Sequence, residues 1–143
     1  MVKAMEDHKN QFVLILAGYP EEMDDFLQTN PGLPSRFPIR FDFPDYTVDQ
    51  LTGIAGIMLQ EREYQLAPQA EWKLRRLVTH EKELSPYAFS NGRFVRNLLE
   101  KAIRNQAVRL LRSSEEAPSR QELMLLKPED LVESPRTNTA GLL

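Results

Sequence analysis

The chain has 143 residues, 41% of them hydrophobic and 27% charged, with a net charge of −3. That length fits one domain able to bury about two thirds of its unfolded surface. With no cysteine, disulfides, thiol catalysis and thiolate zinc sites are excluded, and His8 and His80 belong to no HExxH, which argues against a metallohydrolase.

Met1 to His8 reads as the end of a helix. Phe12 to Ala17 is the longest apolar run, far too short to span a bilayer, and it ends at Gly18. Without alternation, such a run suits a strand buried on both faces of a parallel sheet. No charged start, apolar stretch and cleavage site opens the chain, so a soluble, cytoplasmic protein is expected. Five of the ten prolines (Pro20, Pro31, Pro34, Pro38 and Pro44) fall in one short stretch, which marks loop and short elements. Within it, Ile39 to Phe43 alternates as a second strand. Two strands do not complete a parallel sheet, and the start of the chain resembles the tail of an α/β domain.

From Tyr46 the pattern turns helical. Thr47-Val-Asp-Gln50 has the capping-box form, and Leu51, Ile54, Ala55 and Met58 follow on one helical face. Pro68 suits the first turn of a second helix with apolar positions Trp72, Leu74, Leu77 and Val78. A long helix is expected from about Ser90-Asn91-Gly92 to Arg112, its stripe being Val95, Leu98, Leu99, Ala102 and Ile103. Ser113 to Arg120 reads as a polar linker, Leu123 to Leu126 as a short strand and Pro128 to Val132 as a last helical turn. Ser134 to Leu143 has little to pack and is expected to be disordered. Charge is uneven: residues 1–70 carry 5 Lys/Arg against 11 Asp/Glu, and residues 71–143 carry 13 against 10.

Three segments bear on chemistry. Asn30-Pro-Gly-Leu-Pro-Ser-Arg36-Phe37 is a stiff turn that either holds the Arg36 guanidinium at a set position or simply carries a solvated arginine. In Asn91-Gly-Arg-Phe-Val-Arg96, Arg93 and Arg96 fall in the first turn of the long helix. Cations there oppose the helix dipole at a cost of about 0.3–1 kcal/mol each, which an anion would offset. The alternative is an Asn-Gly turn with two solvated arginines. The whole segment Arg93 to Arg112 is either a basic recognition helix or a face that is solvated or paired with acidic neighbours. There is no GxxxxGK[ST] and no GxGxxG. Tyr19, after the apolar run, stands where α/β folds often place a polar sensing residue.

In order along the chain, Val2-Lys-Ala-Met-Glu-Asp-His8, Leu16-Ala-Gly-Tyr19, Asn30-Pro-Gly-Leu33 with Ser35-Arg-Phe37, Phe43-Pro-Asp-Tyr-Thr47 and Asn91-Gly-Arg-Phe-Val-Arg-Asn97 resemble the CbxX/CfqX group of AAA+ ATPases. The likeness runs from Met1 to about Leu131 and leans to the sporulation branch rather than the rubisco branch.

The resemblance implies an α/β remnant plus an all-α lid. Residues 1–45 would be the end of a Rossmann-like core, 46–133 the helical lid and 134–143 a disordered tail. It implies assembly into a ring, usually a hexamer in such families, with head-to-tail contacts. Arg36 matches the arginine finger that acts in trans, and Arg93 the sensor-2 arginine, with Arg96 as a lower-ranked neighbour. Tyr19 stands at the sensor-1 position, where many AAA+ proteins have Asn or Thr. ATP and Mg²⁺ belong to the parent protein. The phosphate loop and the acidic pair would precede Met1, so this chain alone is expected not to hydrolyse ATP and to bind no cofactor tightly and no metal. The remodelled protein substrate is not specified by any residue, membrane partners are not expected, and nucleic acid is a minor alternative. A non-catalytic helical interaction or oligomerisation module is the competing reading.

Overall fold

In the computed structural model, the described residues are 13–29, 31–86, 89–113 and 117–133. The helix expected over Met1 to His8, the disorder expected over 134–143, and Asn30 of the proline-rich turn lie outside them. Two compact units, Met1–Pro44 and Asp45–Leu143, divide the chain.

In the first unit, Pro20 opens helix α1 (Pro20–Gln28), with Glu21 and Glu22 in the first turn, where carboxylates favour the dipole. Thr29 ends it, its N–H and Oγ1 both donating to the Asp25 carbonyl at 3.0 and 2.8 Å. The two expected strands are a correction: residues 13–19 and 37–47 join no ladder. Val13 is 87% exposed, Ile15 83%, Ile39 73%, Phe41 77% and Phe43 90%. Strand formation requires a neighbouring backbone to accept the N–H row and a layer to cover the side chains. No described segment supplies either here. Between the apolar side chains, Arg40 donates from Nε to Asp42 Oδ1 at 2.9 Å and pairs with Asp24.

The second unit is built from amphipathic helices. Thr47 caps α2 (Val48–Gln60): Gln50 N–H donates to Thr47 Oγ1 at 3.2 Å, and Thr47 N–H donates to Gln50 Oε1 at 2.9 Å. Leu51, Ala55 and Leu59 are buried. The helix ends in a Schellman motif, with Tyr64 N–H on the Leu59 carbonyl and Glu63 N–H on the Gln60 carbonyl. Glu63 occupies the left-handed position at φ 60°, where glycine avoids the Cβ clash. Glu63→Gly is therefore expected to stabilise this unit by about 0.5–1 kcal/mol, measured as a rise in urea midpoint at unchanged slope.

Strand β1 (Gln65–Leu66) pairs in parallel with β2 (Leu125–Leu126), Gln65 opposite Leu125 and Leu66 opposite Leu126. Between them in the chain lie α3 (Pro68–Leu84), α4 (Gly92–Ser113) and α5 (Arg120–Met124); a 3₁₀ turn over Pro128–Asp130 follows. On α3, Ala70, Leu74, Leu77 and Val78 are buried, but Trp72 is 76% exposed. The expectation for Trp72 is corrected by helix geometry: at 100° per residue it lies opposite the face shared by the other four. The α4 stripe is as expected, with Val95, Leu98, Leu99 and Ala102 buried and Ile103 packed beside them.

The strand expected over Leu123 to Leu126 is shorter, because Ser119 and Glu122 form a second capping box that starts α5. Glu122 is held below the usual carboxylate range, first by the backbone N–H of Ser119. Its contribution is present above that range and is lost on acidification. Leu126 and Leu131 are fully buried among the helices, so the stretch 126–131 reaches the core.

Candidate functional site

The first turn of α4 rests on a network of side chains. Asn91 precedes it in the left-handed conformation at φ 48°, which asparagine tolerates better than most residues. Its Nδ2 donates to Asp45 Oδ1 at 2.7 Å and more weakly to the Phe89 carbonyl at 3.4 Å, while Oδ1 accepts the Tyr46 N–H at 3.0 Å. Lys82 Nζ donates to the Tyr46 carbonyl and stands 5.9 Å from the Phe89 ring centre. The Phe89 and Phe94 rings pack with centres 5.7 Å apart. The Ser90 carbonyl accepts the Arg93 N–H at 3.0 Å.

From this base Arg93 and Arg96 leave one turn of α4, both exposed, three residues apart and so neighbours on the helix surface. The first turn contains no acidic residue. Arg93, the second residue of a long helix, stands at its positive end in a turn with no acidic residue of its own, a setting suited to a phosphate. The two arginines differ in setting. Arg96 lines a groove between α2 and α4 with Ile57, Met58, Arg62 and Glu100, where Arg62 and Glu100 approach to 3.7 Å; Arg93 does not line it.

Further along, α4 spends its polar groups internally. Arg109 grips Asp130 with two bonds of 2.8 Å, Nε to Oδ1 and a terminal nitrogen to Oδ2, and Lys127 N–H adds a third to Oδ2 at 2.8 Å. Asp130 is 1% exposed. Its hydrogen bonds raise the Arg109 pKa above the ordinary arginine value. Asn105 donates to the Asp130 carbonyl, buried Gln106 donates to the carbonyls of Glu122, Leu123 and Leu125, and Lys101 donates to that of Glu133. Of the readings of the basic segment, pairing with an acidic neighbour is what Arg109 does, while Lys101 binds a backbone carbonyl; together they tie residues 130 and 133 to α4.

Arg36 and Tyr19 belong to the first unit. Arg36 is partly buried in the turn that follows Pro31; its Nη1 donates to the Gly32 carbonyl at 2.7 Å and its N–H to that of Leu33 at 2.9 Å. Ser35 Oγ donates to the Gly32 carbonyl as well, at 3.1 Å. Tyr19 is 72% exposed at the N-cap of α1, where its carbonyl accepts the Met23 N–H at 2.9 Å. Among the described residues, no group of three or more His, Asp or Glu side chains could hold a metal ion, and no helix is long and apolar enough to cross a membrane. The networks around Asn91 and Asp130 are not foreseen from the sequence. Asn-Gly announces a turn, but nothing local marks Asp45, Lys82 or Arg109 as partners.

The second unit is thus a capped helical unit closed by a two-residue parallel pair, with cations at one helix start. Residues 47–141, beginning at the Thr47 cap of α2, match the family model of the AAA lid domain, and the chain belongs to that family. Over 132 residues it is 58% identical to stage V sporulation protein K of Bacillus subtilis (strain 168), covering 92% of this chain and 40% of that protein. It is 41% identical to a protein CfxQ homolog of Trieres chinensis, covering 94% of this chain and 45% of the relative. It is also 37% identical to protein CbbX of Cereibacter sphaeroides, covering 92% and 42%. These relatives are AAA+ ATPases of the CbxX/CfqX type, and the fold is that of a helical lid with a remnant of an α/β core. The chain spans less than half the length of each of these relatives.

Proposed function

We propose that this chain supplies the lid and two phosphate-directed arginines of a ring-forming AAA+ ATPase that remodels protein substrates in the cytoplasm, a sporulation-type role supported by its 58% identity to stage V sporulation protein K. In this reading residues 1–45 complete an α/β core, 46–133 form the lid and 134–143 a tail. The observation that carries it is the exposure of Val13, Ile15, Ile39, Phe41 and Phe43, apolar residues at every second position of two short stretches. Apolar side chains spaced as on strands, without a ladder, are what a core segment presents when the rest of its sheet is supplied elsewhere.

Arg93 is the sensor-2 arginine of the same subunit, with Arg96 as a lesser alternative, because Arg93 lies in the first turn of α4, which has no acidic residue of its own. Arg36 is the arginine finger for a neighbouring subunit, its guanidinium stationed by the stiff turn and the Gly32 carbonyl. Tyr19 takes the sensor-1 position. ATP, when bound, supplies the phosphoryl group for transfer. The arginines fit its phosphates, whereas no described cluster of carboxylates fits Mg²⁺, which falls to the P-loop region.

The test is complementation. The chain alone turns over no ATP above background, and mixing it with the P-loop-bearing part of stage V sporulation protein K gives hydrolysis exceeding the sum of the two. In that mixture Arg93→Ala raises the KM for ATP by about tenfold, the loss expected for one charge-assisted hydrogen bond. A mixture that binds but never hydrolyses ATP leaves the chain as a non-catalytic interaction module.

A further inference from the structure

We propose that Asn91 is a positioning residue that holds the first turn of α4, and with it Arg93, in fixed register with Asp45 and Tyr46. Its functional consequence rests on the reading of Arg93 given above.

The carboxamide of Asn91 is used at both ends: Oδ1 takes the Tyr46 N–H and Nδ2 gives to the Asp45 carboxylate. The Tyr46 backbone is thereby held at both its N–H and its carbonyl, since Lys82 binds the latter. Thr47 is committed as well, its N–H and hydroxyl closing the α2 capping box. Three consecutive residues at the start of the second unit are thus bound, and Asn91, which lies only two residues from Arg93, is the member of this network at the start of α4. A shift of the first turn of α4 against Tyr46 has to break these bonds.

Position 91 also has an unusual chemical requirement. It must tolerate φ 48°, accept from a backbone N–H and donate to a carboxylate. Glycine meets only the first condition. Aspartate meets the first two but places like charge against Asp45. Asparagine meets all three. A solvated Asn in an Asn-Gly turn would need neither partner.

Amide hydrogen exchange on the chain itself tests the clamp. Asn91→Gly keeps the backbone conformation and removes the amide. Exchange at the Tyr46 and Arg93 amides should rise about tenfold, while core amides such as Leu99 stay protected. The D45N/N91D pair, in which donor and acceptor change places, should restore protection at both amides, whereas Asn91→Asp alone, which sets two carboxylates against each other, should not restore it at Arg93. Faster exchange at Tyr46 with Arg93 unchanged overturns the inference, as does a uniform rise over the whole unit.

In the complemented ATPase, Asn91→Gly should raise the KM for ATP, and should add nothing in an Arg93→Ala background. An equal increment in that background also overturns it. If Arg93→Ala is itself silent, the nucleotide reading of Arg93 fails, while the exchange experiment still decides whether Asn91 sets the helix start.

Discussion

Arg36→Ala lowers ATP turnover in the complemented assembly by about 10³-fold or more, the effect of removing an arginine finger, while ATP affinity stays within about twofold. The asymmetry follows from what the guanidinium would do. Charge develops on the transferred phosphoryl oxygens as the bond to the leaving group breaks, so a cation stationed there acts on the transition state more than on bound ATP. Arg36 is suited to wait in place: it is partly buried, and its Nη1 is tied to the Gly32 carbonyl within a turn that starts at Pro31. Arg36→Lys keeps the charge but loses the planar fork, and most of the activity should go with it. A purely structural role predicts something else: turnover and ATP affinity falling together with the melting temperature. Steady-state kinetics beside a thermal melt separates the two, and unchanged turnover in Arg36→Ala removes Arg36 from the mechanism.

Asp130→Ala should destabilise the second unit by about 3 kcal/mol, because it removes the buried counter-charge of Arg109 and leaves that cation the more exposed Glu129 at 3.8 Å. Asp130 is 1% exposed and the Arg109 side chain 20%. The substitution takes away the acceptor of both bonds from the Arg109 fork and of the Lys127 N–H. A domain of this kind is stable by only about 5–15 kcal/mol, so the variant should be marginal at room temperature. Urea denaturation reads the loss as a lower midpoint. Replacing both members, as in the R109M/D130L pair, should recover much of it, since an apolar pair of similar volume avoids desolvating two charges. If Asp130→Ala costs less than about 1 kcal/mol, water reaches Arg109 and the pair contributes only as a surface ion pair would.

The helical unit is largely legible in the sequence. Thr47 with Gln50, Pro68 and the Val95–Ile103 stripe are local signals: bonds to backbone three residues away, a fixed φ, and a repeat near 3.6 residues. They survive because each is satisfied within one element. Trp72 is misplaced when apolar residues are grouped without their angular positions on the helix. The capping box at Ser119 and Glu122 has the same form as that at Thr47 and is readable by the same reasoning. Arg93 and Arg96 stand out as a pair for a similar reason, since a three-residue spacing on a helix is itself a spatial statement.

Identity of residue type, local capping and helical period are determined by the sequence alone, and with them three of the helices, the faces they bury and the cations that open α4. Tertiary structure alone decided the rest. Val13 to Ala17 and Ile39 to Phe43 have strand character but join no ladder among the described residues, because a ladder is a property of two segments and not of one. Asp130 became a buried anion, and Asn91 a double-ended clamp, only because residues 21 and 46 positions earlier in the chain fold onto them. Burial and long-range hydrogen bonding depend on what the rest of the chain brings near, and no short window of sequence contains that information.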